Sequence, residues 1–145
     1  MILTKLKWFG FFALLLFFGI LFSTLSVQAA TYHVDYDNGS DTNNGSASTP
    51  WKTPWYAGTR VVPGDTVIVH ARAGGAVYTS GTTAAAIQAT VANTTWKAAP
   101  GEVVWISSTY NHSSNVYNTC GFCKTISIGA ANVRIDGFYV WGNIH

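Results

Sequence analysis

The sequence predicts an all-β chain built from stacked coils of a solenoid, and three observations predict it. A turn-then-strand unit recurs. Pro63-Gly64-Asp65-Thr66-Val67-Ile68-Val69 returns as Pro100-Gly101-Glu102-Val103-Val104-Trp105-Ile106, and again, with Asn for the Pro-Gly turn, as Ala131-Asn132-Val133-Arg134-Ile135-Asp136. Each is a turn feeding a short β-branched run, at a spacing of roughly 30 to 40 residues, the range of a solenoid repeat. Val67 and Val69 match Val104 and Ile106, so one face is apolar in both copies. Beyond residue 30 no sustained 3.6-residue apolar pattern appears, which argues against long helices. The composition is poor in charge, at 10%, and rich in Thr, Ser, Asn, Gly and Ala, as suits an exported β protein with many turns.

The first 30 of the 145 residues read as a separate element. Lys5 and Lys7 precede an uninterrupted apolar run from Trp8 to Phe22, and Val27-Gln28-Ala29 offers small residues at signal-peptidase spacing. This predicts a secretory signal cut after Ala29 or Ala30, and a secreted product. The competing reading is an uncleaved anchor, since no charge falls between Trp8 and Tyr32. The polar tail and the cleavage site favour removal. Without the signal the basic and acidic residues balance, so no nucleic-acid footprint is present and the only membrane contact is through the signal segment. Residues 31–62 then form an N-terminal strand and cap, and residues 63–145 the first coils.

Thr31 to Tyr36 alternates as a strand, with Tyr32, Val34 and Tyr36 on one side and His33 and Asp35 on the other. A run of turn formers follows from Asp37 to Gly45. Asp35, Asp37 and Asp41 are candidate metal ligands, because hard oxygen donors close in sequence suit calcium. Their spacing is not that of an EF-hand loop, and Asx-turns account for the same residues without a metal.

Tyr32 to Asp35, Gly39-Ser40-Asp41 with Asn44-Gly45, Pro50-Trp51-Lys52-Thr53, and Pro63-Gly64-Asp65-Thr66-Val67 come in a characteristic order. This order resembles the N-terminal lead-in of right-handed parallel β-helix proteins, the pectate-lyase-like family. The likeness covers roughly residues 31 to 70, and the later repeats extend it. It implies the fold, and a polysaccharide or glycan as partner. It does not imply one activity, because the family holds lyases, hydrolases, epimerases and proteins with no known chemistry. The family's short capping helix is cut back here by Pro54 and Gly58, to a stub from about Trp55 to Thr59. Trp51, Trp55 and Tyr56 are then expected to cover the apolar end with bulk, the competing reading being a sugar-stacking platform.

Thr66 to His70 reads as a strand, Ala71 to Thr83 as a loop, and Ala84 to Val91 as either a short helix or a strand. Asn93 to Lys97 and Val103 to Ser107 read as strands. Near-continuous apolar runs suit parallel sheets, which need crossovers, and right-handed crossovers dominate. Ser108 to Lys124 interrupts the rhythm and carries Cys120-Gly121-Phe122-Cys123. A CxxC serves as a redox pair, as half of a zinc site, or as a short disulfide. In an exported chain with no second Cys pair, a disulfide between Cys120 and Cys123 pinning an inserted loop is the expectation.

Thr125 to Asn143 reads as three short strands separated by corners. Ile126, Ile128, Val133, Ile135, Phe138 and Val140 point inward, and Thr125, Ser127, Arg134, Asp136, Tyr139 and Trp141 outward. Asn132 suits a corner because Asn tolerates the left-handed region. The rhythm has no terminal cap at Asn143-Ile144-His145, so the expectation is that further coils or a partner cover this end.

The functional expectation is the N-terminal portion of a secreted β-helix protein that acts on or binds polysaccharide, of lyase or glycoside hydrolase class if catalytic. The alternative is a non-catalytic surface β-helix that binds glycans or spaces other domains. In family lyases, acids hold calcium against a uronate and a basic residue takes the sugar proton. Arg134 and Asp136, with Trp141, are the outward ligand-binding candidates. The first two equally form a solubilising surface ion pair. No catalytic site is evident, no cofactor is evident beyond calcium, and fold alone does not fix function.

Overall fold

The computed structural model describes residues 28–79, 86–107, 110–111, 116–117 and 125–141. The alternating and β-branched runs form strands: β1 (Thr31–Val34), β2 (Thr66–Val69), β3 (Tyr78–Thr79), β4 (Ile87–Ala89), β5 (Thr95–Ala98), β6 (Val104–Ser107), β7 (Tyr110–Asn111), β8 (Val116–Tyr117), β9 (Ile126–Ile128), β10 (Arg134–Asp136) and β11 (Phe138–Trp141). Among the described residues the one α-helix is α1 (Pro54–Gly58), so the class is all-β. Pro54 starts the helix, where a missing N–H costs nothing, and the Thr53 side chain caps it by accepting from the Tyr56 N–H.

Strands pair in parallel across the sequence rather than with their neighbours. One sheet runs β1-β2-β5-β10, a second β11-β6-β3, and a third pairs β4 with β9. Among the described strands only β7 and β8 pair antiparallel. The register is regular: Thr31 lies beside Thr66, Thr66 beside Thr95, and Thr95 beside Arg134. Between β2 and β5 the chain passes through β3 and β4, one strand in each of the other two parallel sheets.

The register corrects the repeat. Val67 lies against Trp96, while Val104 lies against Phe138 in a different sheet. Both are buried, but the Pro63 and Pro100 turns are not equivalent. The true equivalence is a backbone one. Gly64, Asn93 and Asn132 hold the same register position, and all three have positive φ, at 100°, 59° and 56°. Gly and Asn are the residues that adopt this region at little cost. The Asn132 side-chain amide donates to the Asn93 side-chain oxygen at 3.1 Å, tying one corner to the next. Asn93 was expected to begin a strand; it makes the corner instead.

The inward faces form one core that includes Val34, Val67, Val69, Trp96, Val104, Ile106, Ile87 and Ile126. Each fully buried aliphatic side chain here is worth about 1.5–3 kcal/mol of transfer free energy. Trp96, fully buried, donates its indole N–H to Thr94 Oγ1 at 3.3 Å, and that hydroxyl donates to the Val91 carbonyl. Two orientations differ from expectation. Thr125 is buried, its hydroxyl donating to the Trp141 carbonyl, and Ile128 is 39% exposed. Tyr78, in a stretch expected to be loop, is a buried strand residue, because its ring fills the core while its hydroxyl finds a backbone partner.

The end of the first sheet is closed differently from the expected helical cap. Residues 45–51 lie along the free edge of β1. His33 N–H donates to the Gly45 carbonyl, Trp51 N–H to the His33 carbonyl, and Asp35 N–H to the Trp51 carbonyl. Trp51 is buried and stacks on Tyr32 at 4.5 Å, with Tyr56 edge-on. Trp55 is 44% exposed and covers little. Helix α1 packs chiefly on β4, where a side chain at Gly58 would collide with the Gln88 carbonyl. The signal segment expected over residues 1–30 lies outside the described residues up to residue 27, as do Cys120 and Cys123. Among the described residues no helix is long and apolar enough to cross a membrane.

Candidate functional site

Alternation along a strand sends every second side chain outward, and parallel in-register pairing stacks those outward residues into ladders. Two outward groups concentrate chemistry. The first lies on the sheet β3-β6-β11. Trp105 of β6 and Tyr139 of β11 are register partners whose rings sit 4.9 Å apart at 38°. Tyr139 is 51% exposed, and Trp141, two residues on and so on the same face, is 47% exposed. Three aromatic rings thus share one outward surface, where the hydrophobic effect would ordinarily disfavour them.

The second is a cluster rather than a register pair, because His33 lies beside Ile68 in the ladder, and it sits where β1 and β2 end. His33 points outward from β1, and His70 follows the last residue of β2 in the adjacent layer. Their rings lie 5.4 Å apart and near parallel, with His33 Nδ1 3.1 Å from His70 Nε2. On the far side His70 Nδ1 meets Glu102 Oε1 at 3.0 Å, while Glu102 Oε2 accepts from the Ala71 N–H at 2.6 Å. The backbone beneath is tied on both sides: the His70 N–H donates to the Val34 carbonyl, and the Tyr78 hydroxyl donates to the His70 carbonyl at 2.9 Å.

The electrostatics follow from these contacts. Partial burial pushes the Glu102 carboxyl up, but the Ala71 N–H and His70 hydrogen bonds outweigh it, and the group titrates below its ordinary value. Burial and the neighbouring His70 charge hold His33 below the usual imidazole range. Burial raises the Tyr78 phenol, so it stays a hydroxyl donor. Beside the cluster, the Arg72 guanidinium lies 3.7 Å from the Tyr36 ring centre and donates to the Val77 carbonyl, and Lys52 lies over the same Tyr36 ring at 4.7 Å.

The sequence-predicted ligands are placed as follows. Asp35 accepts from the Asp37 and Asn38 N–H groups and from the Asn38 side chain, closing a turn. Burial pushes its carboxyl up, and the Asn38 bonds bring it below the ordinary range. Asp37 accepts from the Ala73 N–H at 2.7 Å. Asp41 accepts from the Lys52 and Thr53 N–H groups and the Thr53 hydroxyl, and so holds the helix cap. All three act as acceptors for protein donors, and no cluster of three or more metal-ligating side chains occurs among the described residues. Arg134 and Asp136 face outward and pair with each other at 2.8 Å, both exposed. Trp141 joins the aromatic ladder. Sequence reasoning missed the partnership of Trp105 with Tyr139 and that of His33 with His70 and Glu102. No local signal marked either one, because both depend on the lengths of the loops between strands.

No protein-family model, no characterised protein and no solved structure matches this chain.

Proposed function

We propose that the chain is the first part of an exported right-handed parallel β-helix whose outward sheet faces bind polysaccharide. The observation that carries this reading is the aromatic ladder of Trp105, Tyr139 and Trp141 on β6 and β11. Exposed rings spaced along a sheet offer flat apolar surfaces to the C–H faces of sugar rings. The long parallel register of β1-β2-β5-β10 supports the solenoid, since each layer repeats the one before it. Coils stacked on β10 and β11 would lengthen the platform and bury Val133, Ile135, Phe138 and Val140, which are only partly buried. A lyase or hydrolase activity belongs to this reading only with such coils, because the ladder itself supplies binding and no acid–base pair. Calcium, if it takes part, would act there on an acidic polymer.

The test is affinity electrophoresis and calorimetry of the secreted chain against a panel of neutral and acidic polysaccharides. At least one polymer is expected to retard the protein, and the double substitution Trp105→Ala with Tyr139→Ala is expected to weaken binding at least tenfold with the fold intact by circular dichroism. Failure of every polymer to bind, or binding indifferent to the double substitution, rejects the reading.

A further inference from the structure

We propose that His33 and His70 form a binding site for one divalent transition-metal ion of the imidazole-preferring kind, Zn2+, Cu2+ or Ni2+, through His33 Nδ1 and His70 Nε2. The site is independent of the glycan reading and of the aspartates expected to hold calcium.

The geometry is that of two ligands facing one point. The two ring nitrogens are 3.1 Å apart across near-parallel rings. An ion held at about 2.0–2.1 Å from each nitrogen in tetrahedral geometry separates them by roughly 3.3–3.4 Å. The nitrogens therefore need to part by only a few tenths of an ångström, and each ring to tilt off the head-on line of the present hydrogen bond so that its lone pair points at the ion. In the metal-free chain a single hydrogen on His33 Nδ1 bridges the pair; when the ion takes its place that proton moves to His33 Nε2, so two neutral imidazoles face the metal and no net proton is released.

Glu102 fixes which nitrogen is offered. Its Oε1 accepts the Nδ1–H of His70, which leaves the His70 Nε2 lone pair facing His33. A carboxylate behind a ligating imidazole orients the ring and raises its basicity, and the Ala71 N–H locks that carboxylate in turn. The surroundings favour a cation: the Glu102 and Asp35 carboxylates lie close enough to His70 to act on its charge, while the nearby Arg72 guanidinium is turned onto the Tyr36 ring and the Val77 carbonyl. Both histidines hang on paired strands or their immediate ends, not on a free loop. Imidazole nitrogen selects these ions over calcium and magnesium, which take oxygen. No third metal-ligating side chain joins the pair among the described residues. Among the described residues the remaining coordination positions are thus left to water or to oxygen atoms of a ligand.

The test is titration of the purified chain with ZnCl2 and with CuCl2 by calorimetry. One ion per chain is expected. His33→Ala and His70→Ala are each expected to weaken binding at least tenfold. Glu102→Gln is expected to weaken it by about 10–100-fold, the usual effect of losing an outer-shell carboxylate. Trp55→Ala, at an exposed ring that offers no metal-ligating group, serves as the control and is expected to leave binding unchanged. Electron paramagnetic resonance of the Cu2+-loaded, unsubstituted chain gives a readout that does not depend on any variant folding, and two imidazole nitrogens on the copper are expected. A spectrum with one nitrogen or none, or affinity indifferent to both histidine substitutions, overturns the proposal.

Discussion

The two edges of the four-stranded sheet are made from the same register and end in opposite ways. At one edge β1 is paired by residues 45–51 and sealed by Trp51, which stacks on Tyr32. At the other, β10 has no further strand beside it among the described residues. Tyr32, Val67, Trp96 and Ile135 occupy one inward column. Val67 and Trp96, with a layer on each side, are fully buried, whereas Ile135 is only partly buried. Burial in such a stack depends on the layers above and below a residue, not on its own hydrophobicity.

The largest effect that sharpens this comparison is expected at Trp96. Trp96→Ala removes a fully buried ring between two layers and is expected to cost about 3–5 kcal/mol in urea unfolding. Trp55→Ala, at an exposed ring, is expected to cost about 0.5 kcal/mol or less. Equal losses would break the link between layer position and burial.

Ile126 and Ile128 make the same comparison within one strand. Ile126→Ala, fully buried, is expected to cost about 2–5 kcal/mol. Ile128→Ala is expected to cost about 1 kcal/mol because the side chain is already partly wet. Ile135→Ala should fall between them, at about 1–2 kcal/mol, and should rise if further coils are added beyond residue 145. Thermal melts of the three variants decide the order.

Asp65 is a buried carboxylate at the sealed end. It accepts from the Ala30 N–H at 2.9 Å and the Val62 N–H at 2.8 Å. Asp65→Ala strands two donors and is expected to cost about 1–3 kcal/mol, with Asp65→Asn costing less because one oxygen remains. A neutral Asp65→Ala would show that the turn closes without it.

The sealed end should also carry the pH dependence. His33 titrates below its ordinary value in the fold, so as pH falls through about 6.5 the unfolded chain takes up a proton that the folded chain refuses, and stability declines. Asp35 and Glu102 are likewise lowered, so their contribution is present above the ordinary carboxylate range and is lost as pH falls below about 4. Urea midpoints measured from pH 7.5 to 3.5 should be flat at first, then fall in these two stages. Rising stability between pH 7 and 5 would contradict the placement of His33. The smallest effect is expected at the open end: Arg134→Ala should cost under about 0.5 kcal/mol, because its ion pair with Asp136 is largely in water.

Some of the site was open to reading from the chain and some was not. The outward placement of His33, Arg134, Asp136, Tyr139 and Trp141 followed from alternation, which is a local property of any strand. Their partners did not follow. Pairing Val67 with Val104 by the likeness of two Pro-Gly turns hid the fact that His70 lies over Glu102 and beside His33, and that Trp105 meets Tyr139. Asp35, Asp37 and Asp41 look like an oxygen cluster in sequence. In space each is drawn to a different set of N–H donors, those of Asp37 and Asn38, of Ala73, and of Lys52 and Thr53.

What the sequence determined by itself was local: short strands from β-branched alternation, turns at Pro63-Gly64 and Pro100-Gly101, a proline-started helix stub, and an all-β class without long helices. What only the tertiary structure decided was which strand lies beside which, and hence which outward residues share a ladder. The physical reason is that φ, ψ and side-chain direction depend on a residue and its near neighbours, whereas register depends on how many residues each intervening corner and loop consumes. Those lengths vary from layer to layer: a whole loop separates β2 from β3, a five-residue turn separates β5 from β6, and Gly137 alone separates β10 from β11.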